Sequence, residues 1–254
     1  LVPNLVKELA LKIYKDISPQ CNVRTCEGLR YLIDALDMYE RYNHHKKDDY
    51  LNSCHDKCIQ ALYYEKGHHL LFELCYQVGL DYLNRGMFEK SKEILYLAAV
   101  EKENIEISSI CPPPRTFSKP IAFVAQADAP CKKDIFHRYA MAWNMLGIAQ
   151  ENLALIADAY QSYKKSNEFD IQYWAPYYNL GRICSKLEKD STLIIEYYKE
   201  AIEIEPKMPL IHVSLAAIYK KSNRTSEYRD HCEIARKYIA NEEEYNQACF
   251  EVVC

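Results

Sequence analysis

The chain has 254 residues, 49% of them hydrophobic, a formal charge of −4, only 6 glycines and as many as 22 tyrosines. That length and composition can bury a continuous core, and few glycines suit long helices better than strands or phosphate-cradling loops. The acid excess argues against nucleic acid as a partner, which needs a broad basic face. No stretch approaches the roughly 18 uninterrupted apolar residues of a membrane span, and the first residues do not read as a secretory signal. The cysteine count of 11 is odd and the spacing irregular, unlike a disulfide framework. Several cysteines fall at helical core positions, where a free thiol behaves as a small hydrophobe, and a reducing, cytoplasmic setting is expected. The start at Leu1 and the apolar end at Cys254 give the expectation of a piece of a longer chain.

In chain order, Asn4 caps a first predicted helix with Leu5, Leu9, Ile13 and Ile17 on one face, ended by Ser18 and Pro19. A second, over residues 25–42, sets Leu29, Leu32, Ile33, Leu36 and Tyr39 at core spacing, and the polar run 43–49 reads as a loop. A third carries Leu51, Cys54, Cys58, Ala61 and Leu62 and is closed by Gly67, so residues 1–71 hold a degenerate repeat. Residues 72–104 hold a clearer one. There Val78, Gly79 and Tyr82 precede a turn at Gly86, followed by Phe88, Ser91, Leu95 and Ala98. Over residues 105–133 the pattern fails, because Pro112, Pro113, Pro114, Pro120 and Pro130 cannot sit in a helix interior. That segment reads as a Pro-containing insertion or linker: a connector, or a plug that docks Ile121, Phe123 and Val124.

Residues 134–241 hold three copies of one phrase. Trp143, Leu146 and Gly147 are followed by Ala159, Tyr163 and Ser166. Tyr177, Leu180 and Gly181 are followed by Ile194, Tyr198 and Ala201, with Pro206 closing the unit. His212, Leu215, Ala216 and Tyr219 are followed by Tyr228, Cys232 and Ala235. Gly147 and Gly181 stand 34 residues apart, and Gly79 precedes Gly147 by 68, twice that period. Residues 242–254 read as a capping helix or a truncated repeat, with Tyr245, Ala248 and Val252 inward.

A period of about 34 residues with small residues at fixed offsets marks a helix–turn–helix solenoid, in which each pair leaves an apolar face that only a neighbour can cover. These residues resemble the tetratricopeptide-repeat (TPR) family. The resemblance implies an all-α, right-handed superhelical solenoid of antiparallel helix pairs, acting as a protein-interaction scaffold whose first helices line a concave groove. Helical spacing from each Leu–Gly pair then places Tyr76, Asn144, Tyr178, Arg182, Lys186, Lys220 and Lys221 in that groove. Asn179, before Leu180, matches a family position whose amide holds ligand backbone; the plainer reading is that it satisfies a neighbouring turn. The groove runs from apolar and aromatic to basic. It suits a peptide segment of a partner protein, with apolar anchors and an acidic stretch or terminus.

The family's carboxylate clamp for chaperone C-termini is missing, since of Asn144, Ile148, Asn179, Leu210 and Ser214 only Asn179 fits its pattern. The alternative function is an assembly or dimerisation arm of a larger multidomain protein or complex, and self-association stays open. No catalytic constellation emerges: there is no phosphate loop, no GxSxG elbow and no HExxH helix. His137, His212 and His231 read as isolated, with His212 in a core aromatic slot. Cys54, His55 and Cys58 offer metal-binding atoms, but structural zinc pairs sit closer in sequence, and core packing explains the two thiols better. Neither enzymatic activity nor a cofactor nor a metal is expected.

Overall fold

The computed structural model describes residues 26–64, 69–100 and 130–239. The helices expected at 4–17 and 242–254, and the insertion up to residue 129, lie outside the described residues. The chain divides into two compact units, Leu1–Asp128 and Ala129–Cys254. The first holds α1 (Cys26–His45), α2 (Asp48–Tyr64), α3 (His69–Asn84) and α4 (Phe88–Val100). The second holds α5 (Pro130–Asn152), α6 (Ile156–Phe169), α7 (Trp174–Lys186), α8 (Ser191–Ile204), α9 (Pro209–Lys221) and α10 (Thr225–Tyr238). Every element among the described residues is a helix, and none of these helices is long and apolar enough to cross a membrane.

Within each unit the helices pair in sequence: α1 with α2, α3 with α4, α5 with α6, α7 with α8, and α9 with α10. The second helix of one pair then packs on the first of the next, as α2 on α3, α6 on α7 and α8 on α9. The core is accordingly shared between pairs. Ala159 and Tyr163 of α6 bury against Leu180 and Ile183 of α7, and Ile194, Ile195 and Tyr198 of α8 bury against Ile211, Leu215 and Tyr219 of α9.

Two boundaries differ from the sequence expectation. The helix expected over 25–42 continues to His45, and the loop expected over 43–49 shrinks to Lys46 and Lys47. Tyr42 is buried there, and His44 and His45 suit the negative end of the helix. Helix α5 begins at Pro130, a residue tolerated in a first turn, so residues 130–133 are helical and not linker.

The repeated glycines are close-approach sites. A Cβ built on Gly147 would lie 2.5 Å from Cε1 of Tyr163, and one on Gly181 would lie 2.7 Å from Cε1 of Tyr198. In the first unit a Cβ on Gly79 would lie 2.5 Å from Cγ of Leu95. Carbon atoms prefer about 3.5–4.0 Å. Each of these three first helices thus offers a bare backbone patch, and the second helix of the same pair lays a large side chain on it. In the last described pair the glycine place is taken by Ala216 and the ring place by the smaller Cys232. Buried hydroxyls pin the same packing: Ser91 Oγ donates to the Gly79 carbonyl at 2.8 Å and Ser166 Oγ to the Ala140 carbonyl at 2.5 Å.

The turns inside the pairs repeat as closely as the glycines. Gly86, Ala154, Glu188 and Asn223 all have left-handed φ, at 72°, 60°, 50° and 56°. In each case the next amide reaches back to close the helix: Met87 to the Tyr82 carbonyl at 2.9 Å, Leu155 to Gln150 at 2.9 Å, Lys189 to Cys184 at 3.0 Å and Arg224 to Tyr219 at 2.9 Å. This is the Schellman closure, for which glycine is the unstrained residue. Only the first of the four turns has it.

The cysteines behave as core residues. Cys54, Cys58 and Cys75 are fully buried between α2 and α3, with Cys54 and Cys58 sulfurs 4.0 Å apart. Among the described residues no group of three or more His, Cys, Asp and Glu side chains is placed to hold a metal ion.

Two histidines that look isolated in sequence meet across α9 and α10. Nε2 of His212 lies 2.9 Å from the Pro206 carbonyl, and Nδ1 of His212 lies 2.9 Å from Nδ1 of His231. A carbonyl only accepts, so His212 Nε2 carries the proton; its Nδ1 then accepts from His231 Nδ1–H. The rings stack at 5.2 Å, and Tyr219 stacks on His231 at 5.5 Å. Burial, then the neighbouring His212, push the His231 imidazole below its ordinary value of 6.5.

Two measurements follow. Glu188→Gly should stabilise the chain by roughly 0.5–1 kcal/mol in urea denaturation, since glycine relieves the left-handed strain of a β-carbon; an unchanged or lower midpoint would contradict this. A histidine with a depressed folded pKa contributes stability above about pH 6.5 that is lost as pH falls through its folded value. Melting should therefore drop between pH 7 and 5, by at most about 1.4 kcal/mol per pH unit from this group. The drop should shrink in His231→Gln; equal drops in both proteins would show that His231 is not the titrating group.

Candidate interaction site: a polar ladder between two repeats

Helices α5 and α7 are the first helices of consecutive pairs, and a line of hydrogen bonds joins their side chains. Asn144 on α5 is 1% exposed. Its Nδ2 donates to the Tyr173 hydroxyl at 3.3 Å, and its Oδ1 accepts from Asn179 Nδ2 on α7 at 2.9 Å. Asn179 Oδ1 accepts in turn from Arg182 Nη2 at 3.3 Å. Arg182 is one helical turn further along α7, and it presents its fork to Glu151 of α5, with Nη1 to Oε1 and Nη2 to Oε2 both at 2.6 Å. Lys186 Nζ donates to Glu151 Oε1 at 2.9 Å, and the Tyr163 hydroxyl of α6 donates to Oε2 at 3.1 Å.

The charges are layered. The Glu151 side chain is 7% exposed, while Arg182 is 33% and Lys186 57% exposed. Burial alone would raise the Glu151 carboxyl, but Lys186 and Arg182 outweigh it and hold it below the ordinary carboxylate value. Burial likewise works against the Arg182 charge, and Glu151 more than restores it. Tyr163 is pushed up, first by burial and then by the Glu151 charge, so its hydroxyl stays a donor. A bidentate arginine–carboxylate pair of this kind is both strong and directional. One carboxylate offsets two cations, and the outer surface keeps one positive charge.

Of the residues expected in the groove, the structure brings Asn144, Asn179, Arg182 and Lys186 into this single ladder. Asn179 satisfies no turn; its amide bonds to Asn144. Tyr178 lies on the same helix, half-buried, its ring 6.3 Å from Trp174 and 5.8 Å from Tyr198. Lys220 and Lys221 are exposed in the last turn of α9, with Lys220 Nζ 5.7 Å above the Tyr228 ring. Tyr76 belongs to the first unit, where it is 7% exposed and stacked on Phe72 at 6.5 Å. Sequence reasoning missed Glu151 as counter-ion and Tyr163 as its donor. A signal for Glu151 exists: an acid stands where the next two repeats have Ser185 and Lys220.

The fold, not the ladder, resembles known structures. The fold is similar to that of MamA, at 15% identity and a TM-score of 0.56, covering 85% of this chain and 94% of that one. It is similar to YrrB, described as "a TPR protein with an unusual peptide-binding site", at 12% identity and a TM-score of 0.51, covering 85% and 91%. It is also similar to PilF of Pseudomonas aeruginosa, at 11% identity and a TM-score of 0.53, covering 89% and 83%. At these identities the likeness is one of fold. No protein-family model matches the sequence, and no curated protein matches it. Helix pairing, glycine close contacts and structural neighbours together define the class: the chain has the tetratricopeptide-repeat fold.

Proposed function

We propose that the chain is a protein-interaction scaffold that holds a peptide segment of a partner on the face formed by its first helices. The observation that carries this reading is the ladder of Asn144, Asn179, Arg182 and Lys186. It fixes a net positive charge across two repeats, on a footing of two buried, mutually bonded amides. Such a surface complements an acidic side chain or terminus of a peptide. Tyr178 beside it offers apolar area, and Lys220 and Lys221 add steering charge further along the unit. Tyr76 is assigned to the corresponding face of the first unit. The peptide-binding site named for YrrB, a protein of the same fold, supports the class of ligand. No step in this role requires a cofactor or a reaction. Cys54, Cys58, Cys75, Cys184 and Cys232 are free thiols, which supports a reducing, cytoplasmic setting.

The geometry also selects the variant that tests it. Replacing Arg182 would strip Glu151 of its main partner and confuse binding with folding. Lys186 and Lys220 are exposed, and glutamine at 186 can still donate to Glu151, so Lys186→Gln with Lys220→Glu should lower melting only slightly. Peptides selected from a random library on the wild-type chain should bind this double variant at least about tenfold more weakly, with a flatter salt dependence. Equal affinity for every selected peptide would refute the site.

A further inference from the structure

We infer that Glu151 occupies the seat of a ligand carboxylate, so that an acidic group must compete with it for Arg182 and Lys186; this rests on the binding reading above. A guanidinium fork with an ammonium beside it is the arrangement that a protein offers to a carboxylate from outside. Here the chain supplies that carboxylate itself. The two Glu151 oxygens take bonds from Arg182 Nη1, Arg182 Nη2, Lys186 Nζ and the Tyr163 hydroxyl, at 2.6, 2.6, 2.9 and 3.1 Å.

Two features make the occupant exchangeable. Glu151 stands in the last turn of α5 (Pro130–Asn152), where the negative end of a helix disfavours a carboxylate. Lys186 ends α7, where the same effect favours its charge. The cations are thus well placed without Glu151, whereas Glu151 is held mainly by them. The fork also has a second support, because Asn179 Oδ1 accepts from Arg182 Nη2 at 3.3 Å and is itself anchored through Asn144. With the cations more exposed than the acid, an incoming anion meets the donors first. Glu151 therefore sets a threshold: weakly acidic peptides fail to displace it, and segments with several carboxylates, or one presented at a chain terminus, succeed.

The test needs no identified partner. Sodium acetate serves as the probe, against sodium chloride at equal ionic strength, with the Arg182 side-chain Nε–H resonance as readout. In Glu151→Gln, acetate should saturate the Arg182 shift at a concentration at least tenfold lower than in the wild type, and chloride should not reproduce it. In the wild-type chain, which needs no substitution to fold, the Glu151 carboxyl carbon and Arg182 Nε–H should move together as acetate is added. Equal acetate curves for wild type and Glu151→Gln would overturn the inference. So would an Arg182 shift in the wild type with Glu151 unmoved, or an equal response to chloride. The two readings fail separately, since acetate exchange without loss of peptide binding in the lysine variant would leave the seat and remove the groove.

Discussion

A side chain laid on a bare glycine backbone closes three of the described helix pairs. Tyr163 over Gly147 and Tyr198 over Gly181 bring paired helices closer than any β-carbon would permit. The gain is contact area: a ring buried on backbone excludes water on both faces and adds dispersion across a wide surface. The last described repeat puts Ala216 at the glycine's place on the first helix and the smaller Cys232 at the ring's place on the second. What recurs is a small residue at that place on the first helix; where alanine replaces glycine, the residue at the ring's place is smaller too.

That contact also builds the candidate site. The ring that closes on Gly147 ends in the hydroxyl that donates to Glu151, and Glu151 also accepts from Arg182 and Lys186. Packing between α5 and α6 is thereby linked to polar geometry between α5 and α7. The Asn144–Asn179 bond continues the same joint inward, where each amide would be costly to bury alone. One tyrosine serves the apolar core of one repeat and the charged surface of the next.

The architecture was legible because its main signal is local and repeated. Gly147, Gly181 and their aromatic partners recur every 34 or 35 residues, and the left-handed turns at Ala154, Glu188 and Asn223 keep that spacing without announcing themselves as glycine. The site was legible in its membership and not in its wiring. Helical spacing chose Asn144, Asn179, Arg182 and Lys186 one at a time. Their mutual bonds depend on how two helices 34 residues apart are set side by side. The acid that neutralises Arg182 lies 31 residues before it, an offset with no meaning until the repeats are stacked. His212 and His231 pair for the same reason: their 19-residue separation becomes a 2.9 Å contact only once α9 folds against α10.

The most direct check that Gly147 is there to receive the Tyr163 ring is a double-mutant cycle in urea denaturation that copies the last repeat's pair into the earlier one. Gly147→Ala alone should cost about 1–3 kcal/mol through overpacking, and Tyr163→Cys alone about 3–5 kcal/mol through the lost ring. Together they should cost less than the two costs added, by at least about 1 kcal/mol, because the new methyl enters the space that the ring vacates. Strict additivity would show that Gly147 is not there to receive Tyr163, and the account of how these repeats close would fail with it.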